Sequence, residues 1–577
     1  MLAGLLTGLH KCKKAGNSAF DKIDFLISFD SAETLWQNLI ENINSLLLGE
    51  TSSVVKSSAL NFLLALVTAT DNVSENFLLE YLMMNSIFET FIKLLTDNQA
   101  RANHGYQVTL IMTIIINYRK FDSTNPYIIK LSIVDNLVAL NGYGQVLSHI
   151  FSEFNKDFGN RLPPTNTSFL SSLTQMVGSM FVPEETNYFK NFPKINMASL
   201  LALYEAVHLN RNFINTLTHS QTDSGSFLKN VDPCGDGTTE VDCTSPPANL
   251  LTVFLETCSI LVQNVREEAD TAKLCFIILT CICEDQFANS IMHDMNVLFK
   301  VTLHQMPMRH RKLPTDRSGP SRSLAAALLD LMVEFIHSHM MRSLPVDLYL
   351  RALTIVHRLI SYQKRCRIRL PFSWHSLWSA LINLLKFVQT HEADFVKEFN
   401  IFLICSKVVN IFNLFITFGD TFLPSPVCYD ELYYEIIRMH EVFDNLHTLA
   451  LRYSTLDNPL KECATSLCSN LVNLRALVAH YTAKIDQMAA NSNPSHLSET
   501  AIMEIIRTNY DTLTLKLQDT LDQVDRYTEK PKETAFFHQL VKEVIVDARQ
   551  NLNFQSPTAL YSPITTTTPP HHTTRHS

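Results

Sequence analysis

The chain has 577 residues, 46% of them hydrophobic, and a formal net charge of −9. That much apolar sequence exceeds what a single compact core usually holds, so a repetitive or multi-domain layout follows. The acidic balance excludes a protein that coats nucleic acid, because such binding rests on neutralising many phosphates, and no nucleic acid is expected as a partner.

Glycine is scarce at 14 residues, proline is modest at 22, and alternating apolar and polar runs are few, which predicts an all-α chain. At the start, Met1 to His10 lacks both a basic leader and a small-residue cleavage site, so no signal peptide is read there. Ser31 is a candidate cap for a helix carrying Leu35, Trp36, Leu39, Ile40 and Ile43, with Gly49 as its stop. Val54 to Val67, Phe77 to Leu95, Val108 to Tyr118, Ile128 to Leu140 and Val146 to Phe158 then read as helices. Short polar turns such as Asp97 to Asn103 and Asp122 to Pro126 join them. Short joins make consecutive helices antiparallel neighbours. A pair with its turns takes about 40 residues, the scale of armadillo and HEAT repeats, without a strict sequence repeat. The predicted architecture is an armadillo/HEAT-like α-solenoid of antiparallel helices.

Composition divides this solenoid into 1–218 and 249–554. The stretch 219–248, dominated by Ser, Thr, Asp, Gly and Pro, is expected to be a disordered loop, and 555–577, rich in Thr, Pro and His, a disordered tail. Ser245, Pro246 and Pro247 suit the start of a helix over Leu250 to Val262. Trp374 to His440 reads as three helices. Leu377, Trp378, Leu381, Ile382 and Leu385 mark one face of the first, and Leu432, Tyr433, Ile436, Ile437 and Phe443 repeat the pattern in the third.

Between them, Ile401 to Phe418 approaches the roughly 18 to 20 apolar residues that span a bilayer, which makes an integral membrane protein the alternative reading. Lys407 interrupts it, and Ser406, Asn410, Asn413 and Thr417 form one narrow polar stripe, so a buried solenoid helix explains it better. Two basic clusters stand out as candidate contacts for an anionic surface: Arg309, Arg311 and Lys312, with Arg317 and Arg322 beyond, and Lys364, Arg365, Arg367 and Arg369. Solvated loops and internal ion pairs are the plainer account of both.

Catalytic signatures are lacking: there is no phosphate-cradling Gly-x-x-x-x-Gly-Lys, no Gly-x-Gly-x-x-Gly, no His-Glu-x-x-His and no Gly-x-Ser-x-Gly. Asp430, Glu431 and Glu435 suit the positive end of a helix dipole. Cys258, Cys275, Cys281, Cys283, Cys405 and Cys468 sit in apolar helical runs as small core residues, which fits a reducing compartment. No zinc-site spacing occurs, nothing around His571, His572 and His576 fixes a coordination geometry, and neither metal nor cofactor is assigned. Trp36, Trp374 and Trp378 are too few for the Trp and Asn ladder of nuclear-import adaptors.

Several long strings carry a resemblance: Leu203 to Ile214 (LYEAVHLNRNFI), Pro307 to Lys312 (PMRHRK), Leu377 to Phe387 (LWSALINLLKF), Tyr429 to His440 (YDELYYEIIRMH) and Asn509 to Asp519 (NYDTLTLKLQD). By these, and over about Phe20 to Phe554 in register, the chain resembles the armadillo-like helical domain-containing protein 3 family. The resemblance implies a cytoplasmic, non-enzymatic helical scaffold, peripheral on Golgi membranes, that binds phosphatidylinositol 4-kinase III beta. It also implies a role in Golgi maintenance and secretion through an Arf-pathway exchange factor or an Arf-like GTPase. By the same comparison, Met1 to His10 reads as the end of a helix whose partners, roughly a hundred residues, are absent. The tail and the Cys234 to Cys243 loop look peculiar to this chain.

Overall fold

A computed structural model describes residues 29–121, 125–161, 192–218, 249–306, 320–491, 498–516, 518 and 520–552. The expected loop at 219–248, the tail at 555–577 and the helix end at 1–10 lie outside these residues. The protein is an all-α armadillo-like solenoid with no strand among the described residues; an isolated antiparallel bridge joins Phe299 to Arg322. Its contacts divide the chain into two compact units, 1–127 with 538–577, and 128–537.

The first unit holds α1 (Phe29–Leu48), α2 (Ser53–Val67), α3 (Leu79–Met84), α4 (Phe88–Thr96) and α5 (Asn98–Ile116). Here α1 packs on α2, α3 and α4, and α5 packs on α2 and α4. Trp36 stacks on Tyr81 at 5.3 Å. Ser31 falls inside α1 rather than capping it, and Gly49 ends the helix as expected. The single helix predicted over Phe77 to Leu95 is two, because Asn85 turns back onto the Tyr81 carbonyl and the buried Tyr127 hydroxyl takes the Ile87 amide at 3.1 Å. The turn predicted at Asp97 to Asn103 is instead the first turns of α5. Asp97 caps the Ala100 amide at 2.6 Å, and the buried Arg101 guanidinium satisfies the Leu95 carbonyl at 2.7 Å, which makes a polar string helical.

After α6 (Pro126–Ile133), the second unit continues with α7 (Leu137–Arg161), α8 (Met197–Leu209), α9 (Phe213–Thr218), α10 (Leu250–Leu261), α11 (Ala269–Glu284), α12 (Gln286–Met292), α13 (Leu324–Ser338) and α14 (Val346–Cys366). It then runs through α15 (Trp374–Thr390), α16 (Glu392–Glu398), α17 (Ile401–Phe422), α18 (Pro426–Arg438), α19 (His440–Thr455), α20 (Lys461–Asn470), α21 (Val472–Asn491) and α22 (Glu499–Thr508). The chain re-enters α23 (Thr534–Gln550) at the unit boundary. Two rows form: α7, α10, α13, α15 and α19 pack side by side in one, and α8, α11, α14, α17 and α20 in the other. Each helix of one row also touches its counterpart in the other, so five helix pairs stack with a shared core between the rows.

α7 runs unbroken through the join expected near residue 141. Gly144 makes this packing work, since a Cβ there would sit 2.3 Å from Thr216 Cγ2 of α9. Asn249 caps α10 by accepting the Thr252 amide at 2.7 Å, whereas Ser245 to Pro247 lie outside the described residues. Four helices, not three, fill Trp374 to Arg438, and Phe443 belongs to the next. Trp374 and Trp378 are buried against Phe415 of α17, at 5.4 and 5.7 Å between rings. A recurring device closes the turns. The buried asparagines Asn76, Asn125, Asn210 and Asn289 each donate to the carbonyl at the end of a preceding helix, at 2.6 to 2.8 Å.

Candidate functional site: a charged groove and its strap

The second row presents cations from three successive helices: Lys273 on α11, Arg351, Arg358 and Lys364 on α14, and Lys407 on α17. Against them lies a strap formed by residues 516, 518 and 520–533 of the segment 516–533, irregular from 523 to 529. At its start, the fully buried Asn473 of α21 grips the main chain of Lys516 twice, donating to the carbonyl at 2.9 Å and accepting the amide at 2.8 Å. Farther on, His357 donates from Nε2 to the Leu521 carbonyl at 2.6 Å, Arg358 donates to the Asp525 carbonyl, and Glu284 accepts the Tyr527 amide. Four groove side chains thus satisfy backbone groups that no ladder or helix serves.

Charge is matched along the same line. Lys364 pairs with Asp522 at 3.0 Å, and Glu533 pairs with Lys273 at 2.9 Å and with Arg351. Glu529, 8% exposed, lies 3.9 Å from His208 of α8, and Tyr527 sets its ring edge-on to His208 and Tyr204. The pairing order, Asp522 near Lys364 and Glu533 near Arg351, makes the strap antiparallel to α14. The helix covers about 20 Å between those two positions, at 1.5 Å per residue. Within the row, Arg358 also pairs with Glu284 at 2.6 Å, and Arg351 with Asp347 at 2.9 Å.

The protonation states follow from this packing. Burial pushes the Glu533 carboxyl up, yet the Lys273 hydrogen bond and the Arg351 charge outweigh it and hold the group below its usual value. Burial lowers the Lys407 ammonium and the His357 ring; Asp525 pulls Lys407 partly back. Of the strap's side chains, Leu521 is the sole buried apolar one among those described, with Val524 and Tyr527 half-buried, so polar contacts predominate in holding the segment in place.

The second basic cluster splits at this groove. Lys364 points inward, with Nζ 4.3 Å from the Phe418 ring centroid, and Arg369 donates to the Leu423 and Asp420 carbonyls at the end of α17. Arg365 and Arg367 are exposed, the latter in a left-handed conformation (φ 54°) that terminates α14. Arg309, Arg311, Lys312 and Arg317 lie outside the described residues, and Arg322 is paired with Asp330.

The other candidates from sequence resolve locally. α17 is enclosed by α14, α15, α16, α18, α20 and α21, and Asn413 of its polar stripe donates to the Asn470 carbonyl at 2.8 Å. By length and composition it is able to cross a membrane, but 67% of its most apolar window is buried within the protein. Asp430 and Glu435 do more than face a helix dipole. Asp430 accepts from Arg507 at 2.7 Å and from the Tyr510 hydroxyl at 2.5 Å, and Glu435 accepts from Arg438 at 2.6 Å. Cys258, Cys275, Cys283 and Cys405 are buried thiols, and Cys281 and Cys468 are partly exposed. Among the described residues no group of three or more His, Cys, Asp or Glu is placed to hold a metal ion. An open groove of about 500 Å³ between α15 and α19 is lined by Lys386, Gln389, Glu441 and Asn445.

The strap and its clamps escaped the sequence reading because each partner is far away in the chain. The one available signal was the spacing of Asp522, Asp525, Glu529 and Glu533 in a segment of weak helical periodicity.

Comparison with known proteins fits this architecture. Residues 322–550 match the family model described as armadillo-like helical domain-containing protein 3, C-terminal. The chain is 48% identical over 575 residues to the armadillo-like helical domain-containing protein 3 of Homo sapiens, covering 96% of this chain and 83% of that protein. Its counterparts in Danio rerio and Xenopus laevis are each 47% identical, over 572 and 575 residues, with the same coverage of 96% and 83%. With a likeness that runs through both units and the strap alike, the chain belongs to the armadillo-like helical domain-containing protein 3 family.

Proposed function

We propose that this protein is a non-enzymatic scaffold that recruits phosphatidylinositol 4-kinase III beta to Golgi membranes, and so supports Golgi maintenance and protein secretion through the Arf pathway. An Arf-pathway exchange factor or an Arf-like GTPase is its second partner. It works from the cytoplasm as a peripheral protein of the Golgi membrane. The observation that carries this reading is the 48% identity over 96% of the chain and 83% of the human relative. A solenoid suits the task, since its long surfaces offer separate faces to a kinase, a GTPase and a bilayer. Recruitment then acts by raising local concentration. The exposed Arg365 and Arg367, together with Arg309, Arg311 and Lys312, supply the charge that attracts an anionic surface, at about 1 kcal/mol for each cation close to it.

Isothermal calorimetry with the purified kinase tests the reading. Saturable binding at micromolar concentration supports it; no heat over that range overturns it. The hydropathy of α17 favours a second reading, an integral membrane protein anchored by 401–418. Alkaline carbonate extraction separates the two: a peripheral scaffold is released into the supernatant, and a spanning helix stays with the membrane.

A further inference from the structure

We propose that the groove along α8, α11, α14 and α17 is a peptide-binding site for an acidic, irregular segment of a partner protein, with the strap 516–533 as its resident intramolecular ligand. The inference stands independently of the kinase reading, since the groove's chemistry specifies a kind of segment and not its owner.

Three observations carry it. The groove recognises main chain: Asn473, His357, Arg358 and Glu284 clamp amides and carbonyls of the strap, contacts that any segment of the same course would satisfy. It also recognises charge: Lys364 faces Asp522, Lys273 and Arg351 face Glu533, Lys407 feels Asp525, and His208 lies 3.9 Å from Glu529. Finally, polar contacts predominate along the strap: besides Leu521, its apolar contacts among the described residues are the half-buried Val524 and the Tyr527 ring against Tyr204 and His208, so an incoming segment has few apolar contacts to replace.

These features decide what exchange requires. The Arg351 side chain is only 13% exposed and is costly to leave without Glu533, while Arg358, 9% exposed, keeps Glu284 but loses the Asp525 carbonyl when the strap departs. The groove therefore stays filled, and the strap departs as an incoming acidic segment replaces its carboxylates and carbonyl oxygens in turn. An anionic bilayer matches the charge but has no backbone amide for Asn473 and Glu284 to grip, which favours a peptide.

The test uses a fluorescent synthetic peptide of residues 516–533 and a neutralised version carrying D522N, D525N, E529Q and E533Q. Anisotropy is measured with the full chain and with its D522N/D525N variant. Asp522 is half-buried and Asp525 exposed, so the variant keeps its fold while its strap is weakened. The acidic peptide is expected to bind the variant at least tenfold more tightly than the unaltered chain, and Lys364→Glu in that background to remove at least tenfold of the gain. Equal affinity for both chains, or equal binding of the neutralised peptide, overturns the proposal. On the unaltered chain, saturating peptide is expected to speed hydrogen exchange of the 520–533 amides at least fivefold. Unchanged protection overturns it, as does the same release by phosphatidylserine vesicles in place of the peptide.

Discussion

The inner face of α17 and the groove face of α14 lie on adjacent helices of one row, yet opposite physics holds them. α17 meets its neighbours through Ile404, Val408, Phe412 and Phe415, all buried, with Trp374 and Trp378 stacked edge-on against Phe415. α14 meets the strap through guanidinium, ammonium and imidazole groups that find carboxylates and carbonyls. The first contact is non-directional and scales with area; the second depends on geometry, and much of its gain offsets desolvation. The solenoid thus carries one layer that fixes the fold and another whose occupant is exchangeable.

The most damaging change should fall on the apolar side. Trp378→Ala removes a fully buried indole and should cost about 4 kcal/mol in urea denaturation of the full chain, without altering strap protection relative to the rest. Next, Arg358→Ala leaves Glu284 enclosed without its principal partner and should cost about 3 kcal/mol. Hydrogen exchange after that change should rise at 520–533 before it rises in α17; the reverse order breaks the contrast.

Acid should probe the boundary between the two regimes. Burial depresses the His293 pKa from 6.5 to about 4, its Nδ1 donating to the Asn289 carbonyl at 2.8 Å while Gln363 donates to Nε2. The unfolded chain binds this proton more readily, so the contribution is whole above pH 6.5 and is lost as pH falls through about 4. The loss amounts to about 3 kcal/mol, and His293→Gln should flatten the acid limb of a melting-temperature profile between those values.

Smaller effects belong to exposed charge. Asp522→Asn should lower global stability by about 1 kcal/mol, because its pair with Lys364 still reaches solvent, the side chains being 17% and 24% exposed. Its mark should instead be faster exchange at 520–525. Arg365→Glu with Arg367→Glu should change stability by no more than about 0.5 kcal/mol. The double variant should still weaken co-sedimentation with phosphatidylserine vesicles, and unchanged sedimentation removes these two arginines from any membrane contact.

The apolar layer was legible in sequence because its signal is local. Leu377, Trp378, Leu381 and Leu385 announce their common face by spacing alone, and Ile401 to Phe418 announces burial by being apolar nearly all round. Joins were harder. Asp97 to Asn103 has a turn's composition and becomes helix because Arg101 finds the Leu95 carbonyl, a contact that composition does not encode. At 141–145 the expected join between two helices is continuous helix, with Gly144 serving as clearance for Thr216. The groove was illegible for a further reason: Lys364 finds Asp522 158 positions away, and a charge carries no address for its partner. Lys364 therefore read as one of four equivalent cations, although it turns inward while Arg365 and Arg367 face solvent.

The clamp of Asn473 on Lys516 has a consequence for how this protein tolerates change. A carboxamide that holds an amide and a carbonyl is blind to the side chain between them, so position 516 is anchored whatever residue stands there. Saturation mutagenesis along the strap should therefore give a two-level profile. Lys516, Gln523 and Thr528 should accept nearly any substitution short of proline, whereas Asn473 itself should accept almost none. Heritable variation in this segment is thereby free to drift in the ligand while being held in the jaw.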